Sequence, residues 1–159
     1  MALSKITNDG VATSGLPAGS VLQVVVERGG GSIFSTTSTS YTSTGLSASI
    51  TPASTSSKIL VMLSSRIDRP GVAGECTRLR VSRDSGAATL FGTANNFYTT
   101  DSFDYSGVSV YYEGLDEPAT TTSVTYLVEL QTRLGNSCSS NSHGNAGNPD
   151  TLTLIEIAG

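Results

Sequence analysis

The sequence predicts an all-β chain, an antiparallel β-sandwich of jelly-roll type preceded by an extended N-terminal arm. Three observations carry this reading. Apolar residues alternate with Ser and Thr at period two, no segment of ten or more residues shows a helical apolar stripe, and Gly, Ser, Thr and Asn punctuate the gaps at fairly regular intervals. Ser and Thr exceed a quarter of the 159 residues, whereas 14% are charged and 6% aromatic. Such a composition invites a reading of disorder, but disordered chains combine low hydropathy with high net charge. Here the net charge is −4 and the mean hydropathy is neutral. The length fits a single domain.

Residues 1–19 hold scattered apolar side chains, Leu3, Ile6, Val11 and Leu16, without sustained periodicity. They read as an arm that buries itself on a partner. The sandwich then occupies 20–159. Its strands are expected at Val21 to Glu27, Ser32 to Thr37, Ser40 to Thr44, Ser47 to Thr51, Lys58 to Ile67, Cys76 to Arg83, Ala88 to Phe91, Gly107 to Tyr112, Ser123 to Thr132 and Thr151 to Ile157. Leu46, Ala48 and Ile50 alternate with Ser47, Ser49 and Thr51, and Pro52 ends that strand because it lacks the backbone donor a ladder needs. "KILVML" is a continuous apolar run of strand length. In "SVTYLVELQT" the residues Val124, Tyr126, Val128 and Leu130 share one face, and Leu127 on the opposite face implies a second contact. "GNSCSSNSHGNAGNPD", residues 135–150, reads as a long polar loop.

"MALSKITNDG" lacks the apolar core of a signal peptide, and no run approaches the ~18 apolar residues of a membrane helix. The expectation is a soluble, non-exported product without a membrane partner, whose Cys76 and Cys138 are free thiols.

Catalytic constellations are sparse. His143 is the only histidine, it sits in the polar loop, and no serine lies in an elbow motif. One His and two distant Cys match no zinc spacing. "ERGGGSIF" lacks the Lys-Ser/Thr ending of a phosphate-binding loop. The chain reads as a non-enzyme that holds no cofactor or metal.

Charge is unevenly distributed. Asp101, Asp104, Glu113, Asp116 and Glu117 share a window without Lys or Arg, and show neither calcium-loop nor glycosidase spacing. Arg66, Arg69, Arg78, Arg80 and Arg83 fall in another window, and in "CTRLRVS" the positions of Leu79 and Val81 send Arg78 and Arg80 outward together. A pI near 4.8 speaks against nucleic acid. The basic face is instead expected to meet an acidic surface, either residues 101–117 of a neighbouring copy or a larger partner, because Arg pairs carboxylates in bidentate fashion.

"TSTSYTSTGLSASITPASTSSKILV", "EPATTTSVTYLVEL", the terminal "DTLTLIEIAG" and the opening "MALSKITNDGVA" resemble segments of small bacteriophage virion surface proteins, of the tail-fibre-like and head-decoration kind, from phages of aquatic bacteria. The resemblance spans most of residues 20–159. It implies a β-sandwich on the virion surface, commonly a trimer, made in the host cytoplasm, with the major capsid protein or another virion protein as partner. No catalytic motif comes with it. One sandwich and a short arm leave no room for a fibre shaft, which favours a compact decoration, or cement, protein. Two alternatives stand beside it: a short tail-fibre or receptor-binding module touching host glycans through the 135–150 loop or Tyr98, Tyr105, Tyr111 and Tyr112, and an enzyme acting on host glycans, for which the sequence offers no credible acid/base pair.

Overall fold

A computed structural model describes residues 16–29, 33–69, 72–84, 88–91, 96–98, 106–140 and 150–159, with backbone only at 69, 88–91, 96–98 and 106. The expected Leu3, Ile6, Val11, Asp101, Asp104, Tyr105 and His143 lie outside the described residues. The strands are β1 (Val21–Arg28), β2 (Phe34–Thr36), β3 (Thr42–Ile50), β4 (Lys58–Arg69), β5 (Cys76–Arg83), β6 (Ala88–Phe91), β7 (Asn96–Tyr98), β8 (Ser106–Asp116), β9 (Val124–Thr132), β10 (Cys138–Ser140) and β11 (Thr151–Ile157). Every pairing among them is antiparallel, and together they form the two sheets of a sandwich.

Sheet A is organised on β4. Along one edge β4 pairs with β8 from Ile59 to Arg69. Along its other edge it pairs with β11 over its first half and with β10 at Ile67 and Asp68. β1 extends the sheet beyond β11, and β2 extends it beyond β10. Sheet B runs β3-β9-β5, with β6 and β7 sharing the far edge of β5.

Alternation places one side chain in two between the sheets. From sheet A come Ile59, Val61, Leu63, Leu152 and Leu154; from sheet B come Leu46, Ala48, Ile50, Leu79, Val81, Val124, Val128 and Leu130. Tyr126 is the bulkiest fully buried side chain.

Several boundaries differ from the sequence reading. Residues 42–50 form one strand, not two, because Gly45 at φ +87° supports a bulge between Ser43 and Ser47. Thr44 Oγ1 donates to the Val128 carbonyl at 3.0 Å within that bulge. β8 continues four residues past Tyr112 because β4 supplies partners along its whole length. β7 and β10 lie where no strand was expected. β10 holds only Cys, Ser and Ser, and its extended form depends on β2 and β4 on either side.

The chain before β1 is tied down as well. Gly19 N donates to the Ala158 carbonyl and Ala158 N to the Ser20 carbonyl, each at 2.8 Å, so residues 17–20 turn onto the C-terminal end.

Candidate functional site

The expected arginine window is divided by the fold. Arg66 and Arg69 are on β4 in sheet A, whereas Arg78, Arg80 and Arg83 are on β5 in sheet B. Arg66 Nε lies 3.6 Å from Asp68 Oδ1, and its backbone N–H donates to Asp150 Oδ1 at 3.0 Å. A side chain at Gly107 would meet the Arg66 guanidinium and the Asp68 carboxylate, which would have to move aside.

On the outer face of sheet B, Arg80 faces Glu129 across the β5–β9 ladder and donates to it at 2.7 Å, while Ser82 Oγ donates to the same oxygen at 2.6 Å. The Arg80 guanidinium also lies 4.0 Å from the centre of the Tyr41 ring. Burial alone would raise the Glu129 pKa, but hydrogen bonds from Arg80 and Ser82 and the Arg80 charge outweigh it and hold the carboxyl below its ordinary range.

The acidic window is not one solvated face. Asp116 is buried on the inner side of β8, where its Oδ2 accepts from Arg83 at 2.6 Å and from the Tyr126 hydroxyl at 2.8 Å. Arg83 and Tyr126 belong to sheet B, so the cluster clasps the two sheets. This corrects the expectation of Asp116 as an intermolecular partner, since its carboxylate is used within the chain. Burial, then the bond to Asp116, pushes the Tyr126 hydroxyl well above its usual range. Glu117 remains at the surface and pairs with Lys58 at 2.8 Å.

Glu75 carries a role the sequence reading missed. It is fully buried at the foot of β5. Its carboxylate accepts from the backbone N–H groups of Cys76, Arg133, Leu134 and Asn136 and from Asn136 Nδ2, at 2.8–3.1 Å. Burial opposes ionisation, yet those bonds prevail and lower its pKa. The local signal was Gly74, at φ +80°, followed by an acidic residue directly before an apolar strand. Glu156, also fully buried, accepts from Ala53 N at 2.7 Å and from Gln23 Nε2 at 2.6 Å, joining β1 and the 51–53 turn to β11.

The two outer faces contrast. The outer side of sheet B carries Ser47, Ser49, Thr125, Arg78 and Arg80 with a half-buried Leu127, while Glu129 and Gln131 are buried there, and the Ser49 and Thr125 hydroxyls lie 2.8 Å apart across strands. Sheet A presents one fully apolar row beside mixed ones. Val24, Ile155, Leu60 and Leu115 stand side by side across β1, β11, β4 and β8. The next row is Val26, Thr153, Met62 and Glu113, and the one after it Arg28, Thr151, Ser64 and Tyr111. Val24, Val26, Tyr111 and Leu115 are each at least half exposed. The apolar row thus crosses four strands, with its two ends exposed and Ile155 and Leu60 half-buried between them.

Leu16, the one described apolar residue of the expected arm, lines a cleft of about 350 Å³ with Leu22, Ala53, Ser54 and Ala158. Tyr111 is exposed on β8, whereas Tyr112 packs against the core. Cys76 and Cys138 are buried thiols outside any disulfide, and burial pushes Cys138 up to about 11. Among the described residues no group of three His, Cys, Asp or Glu side chains is placed to hold a metal ion.

No family model and no curated protein sequence matches the chain. Solved structures do share its fold. The protein of T=1 particles derived from infectious bursal virus is 16% identical with a TM-score of 0.50, over 100% of this chain and 41% of that one. The protein of the T13 infectious bursal disease virus particle gives 15% and 0.48, over 99% and 42%. Dimeric latent PorU from Porphyromonas gingivalis gives 12% and 0.43, over 91% and 14%. The chain thus spans about two fifths of the viral proteins it matches. The likeness shows a shared β-sandwich.

Proposed function

We propose that the chain is a structural protein of a bacteriophage virion, a head decoration protein that docks on the capsid shell as a trimer and stabilises it. The observation that carries this reading is the apolar outer face of sheet A beside a polar, internally ion-paired face on sheet B. One side offers exposed apolar side chains to a partner, while the charges of the other are paired within the chain. The fold shared with a particle-forming viral protein supports the same setting. Stabilisation then comes from many copies, each contributing a modest contact that gains strength through multivalency.

The test is co-sedimentation of the purified protein with particles that lack it. Saturation at a fixed number of copies per shell, with raised resistance of the shell to heat, is expected. Protein left in the supernatant, or label confined to tails, overturns the decoration reading; a positive glycan array with tail labelling favours a receptor-binding module instead.

A further inference from the structure

We infer that three copies of this chain close around a threefold axis with the outer face of sheet A turned inward, the β1 edge of each copy lying along the β8 edge of the next. The inference rests on the trimeric virion reading above and assigns its surface.

Both edges are open. Among the described residues β1 pairs only with β11 and β8 only with β4. Such edges invite further pairing unless something covers them. Across the four strands direction alternates, so β1 and β8 run oppositely, and a threefold axis parallel to the strands sets β1 of one copy antiparallel to β8 of its neighbour.

The dimensions close. Three gaps between four strands and one gap to the neighbour, each about 4.8 Å, give a triangle about 19 Å on a side. Its centre lies about 5.5 Å from each sheet, matching half of the ~10 Å separation at which facing sheets fill the space between them. The rows Val24, Ile155, Leu60, Leu115 and Val26, Thr153, Met62 would fill that interior. Three or four rows of about 7 Å make each face roughly 20 Å tall, or about 400 Å² in plan. The three faces would withdraw about 1,200 Å² in all, about 400 Å² for each pairwise contact, so closure depends on the three contacts forming together and on the paired edges.

Charge fixes the register. Arg28 ends the outward row of β1 and Glu113 interrupts the outward row of β8, and neither has an ion-pair partner among the described residues. The threefold operation keeps heights along the axis, so Arg28 of one copy arrives level with Tyr111 of the next and one row from its Glu113. A guanidinium spans that offset and stacks on the ring as it reaches the carboxylate.

The experiment is light scattering on the size-fractionated full chain. A mass of three 16.4 kDa chains is expected. Leu115→Asp should lower assembly by at least ~100-fold, since it puts a charge into the apolar interior. Arg28→Glu and Glu113→Arg should each weaken it roughly fivefold or more, and the double variant should return to within about twofold of the parent. Circular dichroism checks that each variant folds, and Val24→Asp on the opposite edge repeats the first test should Leu115→Asp not fold. A parent mass of one or two chains, a trimer indifferent to both aspartates, or a double variant no better than the singles overturns the inference. Co-sedimentation separates the two proposals: a monomer that decorates particles removes this surface alone, and a trimer that ignores them removes the decoration reading alone.

Discussion

Replacing Glu75 by Gln keeps the shape of the side chain and removes its charge. The native carboxylate has two oxygens that accept five donors. An amide offers one acceptor oxygen and points its own NH₂ at the same donors. Arg133 N retains the Cys76 carbonyl and Leu134 N reaches both oxygens, so one or two of the other donors lose their acceptor, depending on which oxygen the amide replaces. Each such orphan costs about 1–3 kcal/mol when dry, and less here because Arg133 and Leu134 are exposed and water reaches the turn. The sum is about 1–3 kcal/mol, or roughly 3–10 °C in Tm for a domain of this size. Urea and thermal unfolding at one protein concentration measure it, so that assembly contributes equally.

The pH dependence adds a sign. The folded-state pKa of Glu75 is lowered, so its stabilisation is present above the unfolded value near 4.3 and is lost as pH falls through the folded value. Acid destabilisation of the parent below about pH 4.5 should flatten in Glu75→Gln. A variant within about 0.5 kcal/mol of the parent, with the same acid slope, refutes the latch.

Other parts of the sandwich give sharper local tests. Tyr126→Phe should cost about 1–2 kcal/mol in urea unfolding, and Asp116→Ala about 3, because the second leaves both Arg83 and the Tyr126 hydroxyl without their shared acceptor. Gly45→Ala meets open space, so its expected loss of about 1 kcal/mol comes from the positive φ alone; an unchanged midpoint would show that the bulge tolerates a side chain. Ellman's reagent should modify Cys138 at least ~100-fold more slowly in the native protein than in urea, because the thiol is buried and its pKa is raised to about 11. Immediate native labelling would contradict its placement.

Much of the fold was legible in the chain. Cys76–Arg83, Ala88–Phe91 and Thr151–Ile157 match the expected bounds, since short strands there end at turn residues. Gly45 misled because a glycine in a strand pattern signals either a turn or a bulge, and only the partner β9 decides between them. β7 and β10 carry too few residues for any period to show. "KILVML" read as a continuous apolar run of strand length, which β4 bears out, but the run alone does not show that Leu60 and Met62 stand on the outer face of sheet A, because a strand without alternation does not mark which face is buried.

The charged residues were found and their pairings were not. Arg80 and Glu129 are 49 residues apart, and only the β5–β9 register sets them opposite each other. Asp116 looked like one acid among five, but its place on β8 turns it inward to Arg83. Five neighbouring arginines seemed to make one patch because the turn that sends β4 and β5 into different sheets leaves no mark on charge spacing.

Image reconstruction of purified particles tests the central claim most directly. The account predicts sandwich-sized density on the outside of the head, in groups of three, with the A sheets facing the group's own axis. Heads that lack this density, while the protein is found only on tails or only free in the lysate, would contradict it.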